Sequence, residues 1–236
     1  MKKTAFALLV LILGAAPAFC AERPILLELF TSEGCSSCPP ADRLLAELAA
    51  GTEVLALSYH VDYWDRLGWK DPFSSPAATR RQNRYARLLG LGEIYTPQLV
   101  VDGHWQAVGS DRSAIGRALA AARRGAATVP TNVALADGMA RVSLGAGPGD
   151  IPAAVLLVGF DRRHVDKVGG GENDGRTLVH VDVVRGFAQI GRWSGAAGTI
   201  AAPVPWPAER VAAILQAEDG RIIGVAVADR TSFPTL

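Results

Sequence analysis

The sequence predicts an α/β unit followed by an all-β, sandwich-like unit, and three observations carry that expectation. Two short apolar runs, 25–30 and 54–59, flank a stretch of helix formers at 41–50, which is a β–α–β pattern. Asp102-Gly103 lies between two further apolar runs and is a strong signal for a tight hairpin. Beyond Val129, short apolar runs recur between Gly, Pro and Asp turns without a helical period, the spacing expected of a sandwich. The expected boundary is 125–130, separating a first unit over 21–127 from a second over 128–236.

The chain opens with Lys2 and Lys3, an apolar stretch over 5–16 and Ala16-Pro17-Ala18, the layout of a secretory signal peptide over 1–20. The apolar stretch is shorter than the roughly 20 residues that span a bilayer, so no membrane span is expected after cleavage, and the expected location is periplasmic or secreted. The full chain carries 24 basic and 23 acidic residues; two of the lysines lie in the signal, leaving 22 against 23. That balance argues against nucleic acid as a partner, which demands a clustered basic face. Arg80, Arg81, Arg84 and Arg87 are spaced as the solvated face of a helix.

Within the first unit, Pro39 and Pro40 fit the first turn of the helix that Gly51 ends, with Leu44, Leu45 and Leu48 on one face. Residues 60–78 are irregular and rich in aromatic and acidic residues, including His60, Asp62, Tyr63, Trp64, Trp69 and Phe73. A helix follows over 76–89, then strands over 98–101 and 104–108, then a helix to about residue 124 that Ser110 or Asp111 caps. In the second unit the expected strands are 132–136, 140–144, 153–160, 177–184, 188–192, 211–216 and 221–228. Gly169-Gly170-Gly171 and Glu172-Asn173-Asp174 lack both the strand–loop–helix setting of a phosphate loop and the spacing of a calcium loop, and read as a flexible turn between strands.

The chemistry is expected at Cys35-Ser36-Ser37-Cys38. Of the three cysteines, Cys20 falls at the signal, leaving Cys35 and Cys38 as the mature pair in a compartment where disulfides persist. A bridge over two intervening residues closes too small a loop to stabilise the fold much, so exchange chemistry explains the pair better than stapling does. A helix N-terminus presents free N–H groups and partial positive charge, which favour a thiolate. Cys35 is then an exposed nucleophile and Cys38, a turn later, the thiol that resolves the mixed disulfide. His60 and Asp62, at the end of the second strand, are candidate tuning residues. Tyr63 and Trp64 suit a peptide-binding shelf or a plug on the core. Two other readings stay open: a binding module whose cysteines form a passive bridge, and copper or zinc binding by the two thiolates with His60. The sequence shows no complete metal-ligand set, and no cofactor is expected.

The strand, the C-x-x-C, the β–α–β unit and Thr96-Pro97 opening a later strand together resemble the thioredoxin-like superfamily. That resemblance implies a cis Pro97 beside the dithiol, with Thr96 and Pro97 facing substrate, Cys35 as nucleophile and Cys38 as resolving thiol. The partners it implies are thiols or disulfides of exported proteins and a redox partner that the sequence does not name. More narrowly, the run from Phe30 to Asp42, with Tyr59-His60-Val61-Asp62-Tyr63-Trp64-Asp65, Tyr95-Thr96-Pro97-Gln98 and Gly171-Glu172-Asn173-Asp174-Gly175, is similar to a secreted bacterial family, domain of unknown function 1223. Gly34 stands where ordinary thioredoxins carry tryptophan, and the aromatic segment 60–78 is extra; both imply a narrower substrate or another job.

Overall fold

The computed structural model describes residues 23–125, 128–149 and 151–230. The expected signal peptide and Cys20 lie outside the described residues.

Seven elements build the first half: β1 (Ile25–Thr31), α1 (Pro39–Ala49), β2 (Val54–His60), α2 (Pro76–Leu88), β3 (Gln98–Val101), β4 (Trp105–Val108) and α3 (Arg112–Gly125). β1 pairs in parallel with β2 and antiparallel with β3, which pairs antiparallel with β4. Side chains of β1 alternate across the sheet, as the strand period demands. Ile25, Leu27 and Leu29 pack with Leu44 and Leu45 of α1 and Ile115 and Leu119 of α3. Leu26 and Phe30 face the opposite way, toward Tyr85 of α2. Glu28 shares that second face and is wholly buried there.

Local chemistry explains the ends of these elements. Pro39 and Pro40 occupy the first positions of α1, where a missing N–H costs no helical bond. The Ser75 hydroxyl accepts from the Ala78 N–H to cap α2, and Asp111 Oδ1 accepts from the Ala114 N–H at the start of α3. Asp102 and Gly103 both take positive φ, at 52° and 71°, as the central pair of the tight turn between β3 and β4, closed by the His104 N–H on the Val101 carbonyl.

The second half contains β5 (Thr131–Ala136), β6 (Met139–Leu144), β7 (Ala153–Lys167), β8 (Thr177–Trp193), β9 (Gly198–Pro203), β10 (Arg210–Ala217) and β11 (Ile222–Asp229). Four of these strands extend the first sheet, giving the eight-stranded order β11-β10-β7-β8-β2-β1-β3-β4. The junction is the parallel pairing of β2 with β8 at Ser58 and Val183. The described chain is thus α/β, with a mixed eight-stranded sheet that runs through the expected boundary. The remaining strands form a small sheet, β5-β6-β9. It buries Val133, Val142 and Leu144 against Val155, Leu157, Val211, Ala213 and Leu215 of the large sheet.

Two strands are longer than the sequence suggests. β7 continues past Phe160 to Lys167, and β8 is one strand where two were expected, with a register shift at Gly159–Phe160 opposite Gly186–Val184. Their hairpin reaches back across the first half, where β8 packs on α1.

Candidate functional site

Cys35 and Cys38 are joined by a disulfide in the turn between β1 and α1, with their Cα atoms 5.5 Å apart. The Cys38 carbonyl accepts from the N–H groups of Ala41 and Asp42, at 2.8 and 3.1 Å, so the second cysteine is fixed to the first turn of the helix. Ser37 Oγ lies 3.3 Å from Cys35 Sγ. The expectation of an exposed nucleophile is corrected here: both cysteines have 0% exposure, while Ser36 and Ser37 are exposed.

Three segments cover the bridge. Trp64 lies against Gly34, where a Cβ would come within 3.3 Å of Trp64 Cβ, so the glycine makes room for the indole. The Trp64 Nε1–H donates to Thr96 Oγ1 at 2.8 Å, tying the aromatic segment to the Thr96–Pro97 peptide, which is cis. The tip of the β7–β8 hairpin forms the third cover. Asn173 is fully buried, and its Nδ2 donates to the carbonyls of Glu33 and Cys35, both at 2.8 Å. The Glu172 carboxylate accepts from the Ser36 N–H at 2.9 Å and from the Ser36 hydroxyl at 2.7 Å. Those two bonds hold the Glu172 pKa below its ordinary value. The glycine-rich turn, expected to be flexible, is docked on the cysteine loop.

The structure therefore links Trp64 to Gly34, the residue before Cys35, and to Thr96 beside the cis Pro97. Tyr63 packs beside Trp64, with ring centroids 6.5 Å apart. Asp62 is committed elsewhere: its carboxylate accepts from the Thr79 hydroxyl at 2.5 Å, which pins the loop to α2. His60 is buried, and its Nδ1 lies 2.6 Å from Asp71 Oδ2.

Sequence reasoning missed the surroundings of His60. Asp71 Oδ2 also accepts from the Glu33 N–H at 2.8 Å. Glu33 Oε2 accepts from Trp69 Nε1 at 2.7 Å. His180 of β8 lies with its ring centroid 4.7 Å from that of His60. Its Nε2 is 3.3 Å from Glu33 Oε1, and its Nδ1 is 3.9 Å from Asp42 Oδ2. Asp42 accepts from the Thr31 hydroxyl at 2.9 Å through its other oxygen. All five titratable groups are buried. Among the described residues, no group of three or more His, Cys, Asp or Glu side chains is arranged to hold a metal ion.

Burial works against a charge on His60, but the adjacent Asp71 carboxylate outweighs it and raises the His60 pKa. Burial likewise opposes the Asp71 charge, and His60 with two backbone N–H groups overcomes it, so the Asp71 pKa is lowered. A histidine whose folded pKa is raised contributes stability that is complete below its unfolded value, about 6.5, and lost as pH rises through the folded value. The urea midpoint of the wild type should therefore fall as pH rises above about 6.5, and His60→Gln should flatten that decline. Equal slopes in the two proteins would show that the imidazolium–carboxylate pair contributes nothing. Asp71 carries the opposite sign: its contribution is present above about 3.8 and is lost in acid as its lowered folded pKa is crossed.

The fold and site define an α/β protein with a buried disulfide closed at a helix start beneath a strand-hairpin cap. Residues 26–223 match the model of a protein family of unknown function, DUF1223, and the chain belongs to that family. It is similar to the crystal structure of a protein from Agrobacterium tumefaciens, with 32% identity and a TM-score of 0.75, covering 90% of this chain and 96% of that one. HBP35 of Porphyromonas gingivalis shares the fold, with 15% identity, a TM-score of 0.66, and coverage of 91% of this chain and 79% of that one. No curated protein matches the chain.

Proposed function

We propose that the protein is an exported thiol–disulfide oxidoreductase that acts on cysteines of exported proteins through Cys35 and Cys38. In this reading residues 21–127 are a thioredoxin-like unit and 128–236 a sandwich-like β unit grafted on its sheet. The observation that carries the reading is the Cys35–Cys38 disulfide at the first turn of α1, between β1 and α1 of a β–α–β–α–β–β–α chain. Its four-residue loop removes little chain entropy from the unfolded state, so stapling is a poor explanation.

The exchange balances without a cofactor. A substrate thiolate attacks Cys35 Sγ, a substrate–Cys35 bond forms, and Cys38 leaves as a thiolate that takes up a proton. A second substrate thiolate attacks its own sulfur in the mixed disulfide and expels Cys35. Two electrons pass from substrate to protein, and the reverse sequence reduces a substrate disulfide. Ser37 Oγ, beside Cys35 Sγ, supplies a hydrogen bond to the thiolate form, which favours Cys35 as the reactive sulfur.

Thiol trapping in glutathione buffers tests the reading. A reduction potential between about −120 and −270 mV places the couple among exchange proteins, and its position sets the direction. A value below about −300 mV marks a structural bridge. One observation favours that second reading, a binding module with a passive bridge: both cysteines are wholly buried. Exchange then requires the cover over them to lift.

A further inference from the structure

Arg80, Arg81 and Arg84, spaced like a solvated stripe, face a cavity of about 550 Å³ between α2 and the strands β7, β8 and β10. Ala154 and Leu156 of β7 and Phe187 of β8 give it an apolar floor. They belong to the core that α2 covers, and Ala154 and Phe187 are only partly buried there. The size suits a small molecule, since such sites span roughly 300–1,000 Å³. A second cavity, of about 310 Å³, shares Ala77 and Phe187 with the first. Its walls include the rings of Phe73 and Trp206, and Arg185, whose Nε lies 3.4 Å from Asp161 Oδ2. The joined space is elongated, basic at one end and rich in aromatic rings at the other.

The charge at the basic end is unbalanced. Glu28 neutralises Arg81. Arg80 and Arg84 are exposed and pair with no side chain among the described residues. They stand at i and i+4 on α2, where like charges repel across one helical turn. Arg192 of β8 lines the opposite wall and meets Glu218 in an exposed ion pair, an arrangement that holds little energy. Three guanidinium groups thus face one carboxylate over an apolar floor, an excess of two positive charges. Arg87 of the same helix is exposed and does not line the cavity.

We propose that the cavity binds a single-chain phosphate monoester, its head held by Arg80, Arg84 and Arg192 and its chain laid along Leu156 and Phe187 toward Phe73 and Trp206. Guanidinium groups donate paired hydrogen bonds to phosphate oxygens. A phosphate monoester carries close to two negative charges at neutral pH, which balances the excess. A carboxylate balances half of it, and an inorganic anion leaves the apolar floor against water. Neither Cys35 nor Cys38 bounds either cavity, so the site stands apart from the exchange reading and does not depend on it.

Calorimetric titration of the full chain with dodecyl phosphate, kept below its micellar concentration, tests the proposal. Binding should saturate at one molecule per chain. Dodecanoate should bind about tenfold more weakly, for the loss of a charge-assisted bond. Arg80→Gln/Arg84→Gln should weaken dodecyl phosphate about 100-fold and Arg192→Gln about tenfold, whereas Arg87→Gln should leave it unchanged. Glutamine is nearly as good a helix former as arginine, so α2 should persist in the double variant, and Arg192→Gln lies outside that helix. Absence of saturable binding overturns the proposal, as does wild-type affinity in whichever of these cavity variants fold. Equal affinity for dodecyltrimethylammonium would reduce the site to an apolar patch, equal affinity for inorganic phosphate would remove the chain, and equal affinity for dodecanoate would remove the dianionic head; each overturns it.

Discussion

Replacing Arg81 by methionine is expected to destabilise the protein by about 3–5 kcal/mol, the cost of leaving a buried charge without its partner. Glu28 is wholly buried on the α2-facing side of β1, and Arg81 Nε and Nη2 donate to its two oxygens at 2.5 and 3.0 Å. Tyr85 Oη donates to the same carboxylate. The guanidinium also lies 5.1–5.8 Å from the ring centroids of Tyr59, Tyr85 and Phe187. Burial opposes the Arg81 charge, yet Glu28 holds its pKa well above the ordinary value. Gln216 of β10 completes the group, with Nε2 donating to Tyr85 Oη at 3.0 Å. One arginine thus ties β1, α2 and a strand of the second half together beside the junction of β2 and β8. Methionine retains the volume but leaves Glu28 as a buried carboxylate without its partner. The double variant Glu28→Leu/Arg81→Met should recover most of the loss, since apolar replacement of a whole buried pair is often near neutral. Guanidinium denaturation of the two single variants and the double variant measures all three terms. A loss under about 1 kcal/mol in Arg81→Met would show that water reaches Glu28.

The same residue shows where sequence reading stops. Arg80, Arg81, Arg84 and Arg87 read as one solvated stripe, and three of them are exposed. Arg81 is buried because Glu28 waits for it across the sheet, and nothing in the helix itself marks that difference. Local chemistry was legible wherever a residue acts on its own backbone. Pro39 and Pro40 began α1, Asp102-Gly103 made its turn, and Asp111 capped α3. Strand length was less legible. Asp161, Arg162 and Arg163 read as an end to β7, but the strand continues as an arm whose polar side chains meet solvent and β8. Between the expected strands 177–184 and 188–192, Gly186 marks a register shift under Trp206 within one continuous β8. Nothing in the sequence told which edge the second-half strands would join, because that choice rests on long-range packing. In the site, Cys35 and Cys38 were named because a short motif holds them, and Thr96 and Pro97 because the resemblance implies them. Glu33, Asp42, Asp71, His180 and Asn173 were missed because they lie far apart along the chain, from residue 33 to residue 180, and meet only when it folds. Two of them, Glu33 and Asp42, lie within the run from Phe30 to Asp42 that carries the family resemblance.

Exchange of substrate disulfides should vanish in Cys35→Ser, while Cys38→Ser should accumulate a protein–substrate mixed disulfide at Cys35. The asymmetry follows from the two positions. Cys38 is held by the first turn of α1 through its carbonyl, whereas Cys35 sits in the turn before it with Ser37 Oγ at its sulfur. Without Cys38 nothing resolves the first adduct. Neither change should unfold the protein, because a four-residue loop contributes at most about 2 kcal/mol, and urea denaturation checks this independently. Access sets the rate. Both cysteines are wholly buried, so Glu172→Ala, which removes two exposed bonds to Ser36, and Trp64→Ala, which removes the link to Thr96 and the indole against Gly34, should each speed alkylation of the reduced pair. Mass spectrometry of trapped adducts and iodoacetamide kinetics read these effects. Mixed disulfides that form at Cys38 in Cys35→Ser would reverse the assigned roles. Full exchange in the double serine variant would remove the cysteines from the function, leaving the capped turn as a structural clasp between the two halves of the chain.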